Sequence, residues 1–248
     1  LLGNRNYLVG VVMTMLFFSG IPGFFLVIAI FLQSGFGFSP LLSGLTTMPF
    51  SIGVLFASFA SGRLGSRWLV HRFAAGALLL ALGMAWLRFI ISGVSDAVDH
   101  WSFLAPLMMS GFGLGIGIAG LFQLILAGVP HKDAGSGSGA LQAFQQVGGA
   151  LGVALVGEIF FSWLDHAGAW GVTSRSAAFV NAATHALIYE IVVFLAAALC
   201  VLLLRPVPRQ AQGYGSKQVV TEVCAQCASW RCGRIDPEDA HVIGEKAQ

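Results

Sequence analysis

Residues 7–32 read YLVGVVMTMLFFSGIPGFFLVIAIFL, from Tyr7 to Leu32, with no formally charged side chain, and the uncharged run extends from Asn6 to Gly62. A helix rises 1.5 Å per residue, so roughly 20 apolar residues cross a hydrocarbon core about 30 Å thick. Two more uncharged runs of that kind follow, between His100 and His131 and from Ala134 to Gly157. Over the 248 residues, 56% are hydrophobic and only 10% are charged, whereas a soluble domain carries roughly a quarter of its residues as Asp, Glu, Lys and Arg. Mean hydropathy is +0.81. A water-soluble globule and a disordered chain are both excluded. A net charge of +2 is no basic footprint, so nucleic acid is excluded as a partner as well. The first partner of this chain is a lipid bilayer.

Six spans follow from the apolar runs and the breakers between them: about 7–32, 42–60, 69–91, 103–127, 140–163 and 183–204. Barrel strands would show ten-residue segments of strict alternation, and none is present. The fold class is therefore all-α, a polytopic membrane protein. Residues 1–205 form a six-helix transmembrane bundle, and 206–248 a polar, mobile cytoplasmic tail. Gly and Pro in Ser34-Gly35-Phe36-Gly37-Phe38-Ser39-Pro40 end the first helix, and Ser39 is placed to cap the second. Pro22 and Pro49 bend the first and second spans, each removing a backbone donor. The first span's Phe17, Phe18, Phe24, Phe25 and Phe31 are read mostly as lipid-facing.

Orientation follows from the basic residues in short loops. Arg5, Arg63, Arg67, Arg72, Lys132, Arg205 and Arg209 fall on one side, against Arg175 on the other and Arg88 near that end of the third span. This places both termini in the cytoplasm, in an inner (plasma) membrane. The chain opens at Leu1 without Met and without a signal peptide, which reads as a piece of a longer chain or as a processed one.

Three motifs that suggest other chemistry do not support it. Gly115-Ile116-Gly117-Ile118-Ala119-Gly120 matches a dinucleotide fingerprint in letters only, since twelve residues before Asp133 leave no room for a helix and a strand. Ser138 and His185 start spans from opposite sides of the bilayer, too far apart for a nucleophile and its base. Cys224, Cys227, Cys232 and His241 match no common zinc spacing. No enzyme, cofactor or metal is expected.

Ionisable residues inside spans are costly and tend to mark pathways. Glu190, Glu158, Arg88 and His185 are therefore the candidate proton or substrate path, with Glu190 deepest and Arg88 or His185 as its candidate partner. For Arg88 and Glu158, snorkelling to the interface is the competing reading. Gln123, Gln142 and Gln146 are possible cavity-lining residues, with inter-helix hydrogen bonding as the competing role. Gly111 with Gly115, and Gly148 and Gly149 with Gly152, form close-packing faces on the fourth and fifth spans, a helix-packing or rocking interface.

The loop Gly62-Arg63-Leu64-Gly65-Ser66-Arg67-Trp68, followed by Arg72, resembles the basic loop between the second and third helices of each half of a major facilitator. The segment from Val129-Pro130-His131-Lys132-Asp133 into Gln146-Val147-Gly148-Gly149-Ala150-Leu151-Gly152 is similar to the late helices of the fourteen-helix drug:proton antiporters of EmrB/QacA type. The resemblance runs from Arg5 to about Arg209. It implies the C-terminal half-bundle of such a transporter, with the N-terminal half as missing partner, and export of small lipophilic drugs by alternating access driven by protons. Gly62, Arg63, Arg67 and Arg72 would form the cytoplasmic gating loop. Ser66 departs from the family's usual Asp, and Leu69 from its common Gly. The alternatives are a facilitator for another small solute, or a non-transporting six-helix protein such as a channel subunit or scaffold.

Overall fold

The computed structural model describes residues 5–63, 69–94, 98–126, 134–167 and 174–203. They form six long helices: α1 (Arg5–Ile30), α2 (Pro40–Arg63), α3 (Leu69–Ser92), α4 (Leu104–Leu126), α5 (Ala134–His166) and α6 (Arg175–Leu203). Each is long and apolar enough to cross a membrane. All-helical architecture is what a hydrocarbon environment requires of a chain that must satisfy its own backbone.

The helix ends show why the breaks fall where they do. α1 loosens into a π-helical turn at Phe31–Gly35. The chain then reverses through Gly37 at φ +70°, a left-handed conformation that favours glycine. Ser39 caps α2: its Oγ accepts from the Leu42 amide at 3.3 Å, while its carbonyl accepts from the Ser43 amide at 2.9 Å. Pro40 takes the first helical position, where a missing N–H costs nothing. α5 and α6 begin at Ala134 and Arg175, six and eight residues ahead of their apolar spans. Hydropathy marks only the part of a helix that lies in lipid, and the polar first turns extend beyond it.

α4 packs against α2 and α3, α1 packs against α5 and α6, and α3 against α6 joins the two trios. Exchanging α1 with α4, α2 with α5 and α3 with α6 maps these five pairings onto themselves; α5 also packs against α6, without a counterpart of that size between α2 and α3 among the described residues. Because successive spans alternate in direction, the two trios form an inverted repeat. α2 and α5 are symmetry mates in this arrangement and are also the least enclosed, with 28% of each span buried against 50–56% for the other four.

The core runs along α1. Phe17 and Phe31 are fully buried, and Phe18 and Phe24 nearly so, which overturns the lipid-facing reading of these rings; Phe25, at 37% exposure, keeps it in part. Phe17 meets Phe73 of α3 and Phe194 of α6 at centroid distances of 5.2 and 5.7 Å. Such tilted and edge-on pairs fit the ring quadrupole better than a face-to-face sandwich does.

Candidate functional site

The deepest acid in the bundle is built from three helices. α6 carries Glu190, 1% exposed, with no hydrogen-bond partner at either carboxylate oxygen. α1 faces it with Gly20 and Gly23, on either side of Pro22 and one turn apart. A methyl group at Gly20 would collide with Glu190 Oε2 and reach to 2.5 Å from Phe194 Cζ. At Gly23 it would lie 3.3 Å from Glu190 Oε1 and 2.8 Å from Val156 Cγ2 of α5. The two glycines thus form the notch that receives the carboxyl group. Beside it, the Tyr189 hydroxyl donates to Ser19 Oγ at 3.2 Å, and Ser19 donates to the Leu16 carbonyl at 2.8 Å.

The other path candidates lie apart from this notch. Arg88 of α3 donates from Nε to the Thr184 carbonyl of α6 at 3.2 Å, stapling the two trios together, and does not pair with Glu190. His185 stacks on Trp163, with ring centroids 3.4 Å apart and 11° between planes, and its Nδ1 lies 2.8 Å from the Asn181 carbonyl. Glu158 is exposed on α5. Sequence spacing could not separate these four, because it gives depth along a helix but not rotation about it.

Of the loop candidates, Gly62 and Arg63 close α2, while Arg67 lies outside the described residues, as does the tail 206–248. Arg72 belongs to α3 and is buried. Its Nη2 donates to the Ser61 carbonyl at 3.3 Å, in the last turn of α2. A guanidinium there meets the carbonyls and the negative end of the helix dipole. Of these loop residues, Arg72 is thus seen to contact a helix C-terminus.

The glycine faces contact different partners. Gly111 packs on the Phe50 carbonyl of α2, and a Cβ at Gly115 would lie 2.5 Å from Ala57 Cβ. Gly148 lies against Met15 of α1, Gly152 against the Ser19 carbonyl and Gly149 against Pro22. Gln123, Gln142 and Gln146 are exposed on α4 and α5, in the half of the bundle where α4 finishes and α5 starts. The neighbouring Gln145 has a buried, unpartnered Oε1.

Six spans arranged as an inverted repeat, with polar and ionisable groups set inside the membrane zone, define a bundle of the kind that secondary transporters use. Residues 1–153, more than half of the chain, match the family model described as Major Facilitator Superfamily, and the chain belongs to that family of membrane transporters. It is 35% identical over 165 residues to the "Probable actinorhodin transporter" of Streptomyces coelicolor, covering 66% of this chain and 28% of that protein. Over 166 residues it is 28% identical to the "Multidrug resistance protein Stp" of Mycobacterium tuberculosis, covering 65% and 29%. A match of 30% over 155 residues, covering 61% and 28%, is to the "Tetracenomycin C resistance and export protein" of Streptomyces glaucescens. The aligned part thus spans less than a third of each of these relatives.

Proposed function

We propose that this chain is the C-terminal six-helix half of a fourteen-helix drug exporter of EmrB/QacA type. It works in the inner (plasma) membrane with both termini cytoplasmic, and it expels small lipophilic compounds by alternating access against inward proton flow. The relatives named for antibiotic export and multidrug resistance support the substrate class. The N-terminal half would be the partner that completes the translocation route.

The observation that carries this reading is the exposure of three amides on membrane helices. Lipid offers no hydrogen bonds, so Gln123, Gln142 and Gln146 on outward faces of membrane helices need a polar or water-filled neighbour. A cavity between two half-bundles supplies one, and α2 and α5, the least enclosed helices, are where a second half would dock. Gly62, Arg63, Arg67 and Arg72 remain the proposed gating loop, with Arg72 as its anchor on α2. The glycine faces are contacts within the bundle, so rocking against the second half would not take place at them.

The test is ethidium efflux from cells expressing the full-length chain. Gln142→Leu and Gln146→Leu together should raise the dye KM or abolish efflux while leaving membrane insertion unchanged. Loss of one hydrogen bond to the dye corresponds to about 0.5–1.5 kcal/mol, roughly 2- to 12-fold in affinity. Unchanged efflux would remove these residues from the route.

A further inference from the structure

Glu190 sits where an ionised carboxylate has nothing to hold it. It is 1% exposed and both oxygens are unpartnered. Gly20 and Gly23 approach its two oxygens, with Phe194 beside Gly20 and Val156 beside Gly23. Every titratable group on the surrounding elements is accounted for elsewhere. On α1, the Tyr7 hydroxyl donates to the Gly137 carbonyl at 3.0 Å, and the helix has no acid or base beyond Arg5. On α5, Glu158 is exposed, and Asp165 and His166 lie at the helix end. On α3, Arg88 is engaged with Thr184, while His71 and Arg72 sit at the opposite end. On α6 itself, His185 stacks on Trp163, Tyr189 donates to Ser19, Arg175 lies over the Phe179 ring and the half-buried Cys200 lies ten residues beyond Glu190. A buried charge without partner or hydrogen bond is far costlier than a buried neutral acid.

The helix opposite is built to give way. Pro22 deprives the Phe18 carbonyl of its helical donor, and Gly20 and Gly23 flank that break without side chains. We propose that Glu190 is a proton-binding site in the seam between α1 and α6. With the proton on, the neutral acid fits the Gly20–Gly23 notch and the seam closes. With the proton off, passed to water admitted as α1 flexes at Pro22, the carboxylate keeps the seam open. The site lies inside the bundle, separate from the exposed glutamines, so proton and drug would be coupled through movement of α1 and not by competition for one group. The protonation stands on this geometry alone; its consequence for export rests on the transporter reading above.

Infrared spectra and pH-dependent dye efflux of the full-length chain in proteoliposomes test it together. The wild type should show a carboxylic-acid carbonyl band at pH 7 that is absent in Glu190→Gln and shifted in Glu190→Asp. Wild-type efflux should change with pH by up to about tenfold per unit, the limit for one proton, while Glu190→Gln flattens to within about twofold. Absence of that band from the wild type, or a Glu190→Gln profile that follows the wild type, overturns the proposal. Should Glu190→Gln fail to fold, the wild type and Glu190→Asp still decide it, through the band and its shift. An acid band without any dye efflux would sink the exporter reading and leave the proton site standing.

Discussion

At Gly152 a Cβ would run into the main-chain oxygen of Ser19, and a helix backbone cannot turn aside as a side chain can. At Gly139, on the same helix, nothing lies within 4 Å. The two positions therefore respond to the same methyl group with opposite sign. Gly152→Ala should destabilise the bundle by about 1–3 kcal/mol through overpacking. Gly139→Ala should be neutral or stabilising by up to about 1 kcal/mol, because alanine restricts the unfolded chain and favours helix. Thermal unfolding in detergent compares them, and equal shifts would contradict the α1–α5 crossing described here. That glycine marks close packing was legible in the sequence, but which helix each glycine meets was not. Glu190 stood out for the same reason that its surroundings stayed hidden. An acid in an apolar run is visible at once, whereas Gly20 and Gly23 become a notch only when α1 presents them to α6.

The helices themselves were legible because lipid leaves so few alternatives, and the loops because Gly, Pro and Ser have specific work at helix ends. The α2 start is the clearest case. Ser39 accepts the Leu42 amide and Pro40 follows at the first helical position, as the order of residues implies. Ser39→Ala should cost about 1 kcal/mol, the usual loss for an N-cap. Ser39→Asp, which restores an acceptor, should recover most of it in the same unfolding measurement. Rotation about each helix axis was not legible. In a soluble protein the polar face of a helix points to water and fixes that rotation, but lipid and core are equally apolar. The rings of Phe17, Phe18, Phe24 and Phe31 thus carried no label saying which of the two they face, and they turned out to be core.

For the bundle as a whole, the inverted repeat ties orientation to mechanism. The pairing of α1 with α5 and α6, and of α4 with α2 and α3, is unchanged if the bundle is turned over in the membrane, so these contacts do not choose a side. The charges must choose it, and they are asymmetric. Arg72 at the α2–α3 end is tied to a helix terminus, while Asp99 at the α3–α4 end only orders its own turn, accepting from the Trp101 amide and the Ser102 hydroxyl. If basic residues are retained inside, Gly135 faces the cytoplasm and Ser102 the exterior. With the four native cysteines replaced by serine, Ser102→Cys should react with an impermeant maleimide on intact cells. Gly135→Cys, whose position has no neighbour within 4 Å to shield it, should react only after permeabilisation. The reverse pattern would put Gln123, Gln142 and Gln146 in the outer half. The gating loop would then lie outside, and the proposed orientation with both termini cytoplasmic would fall.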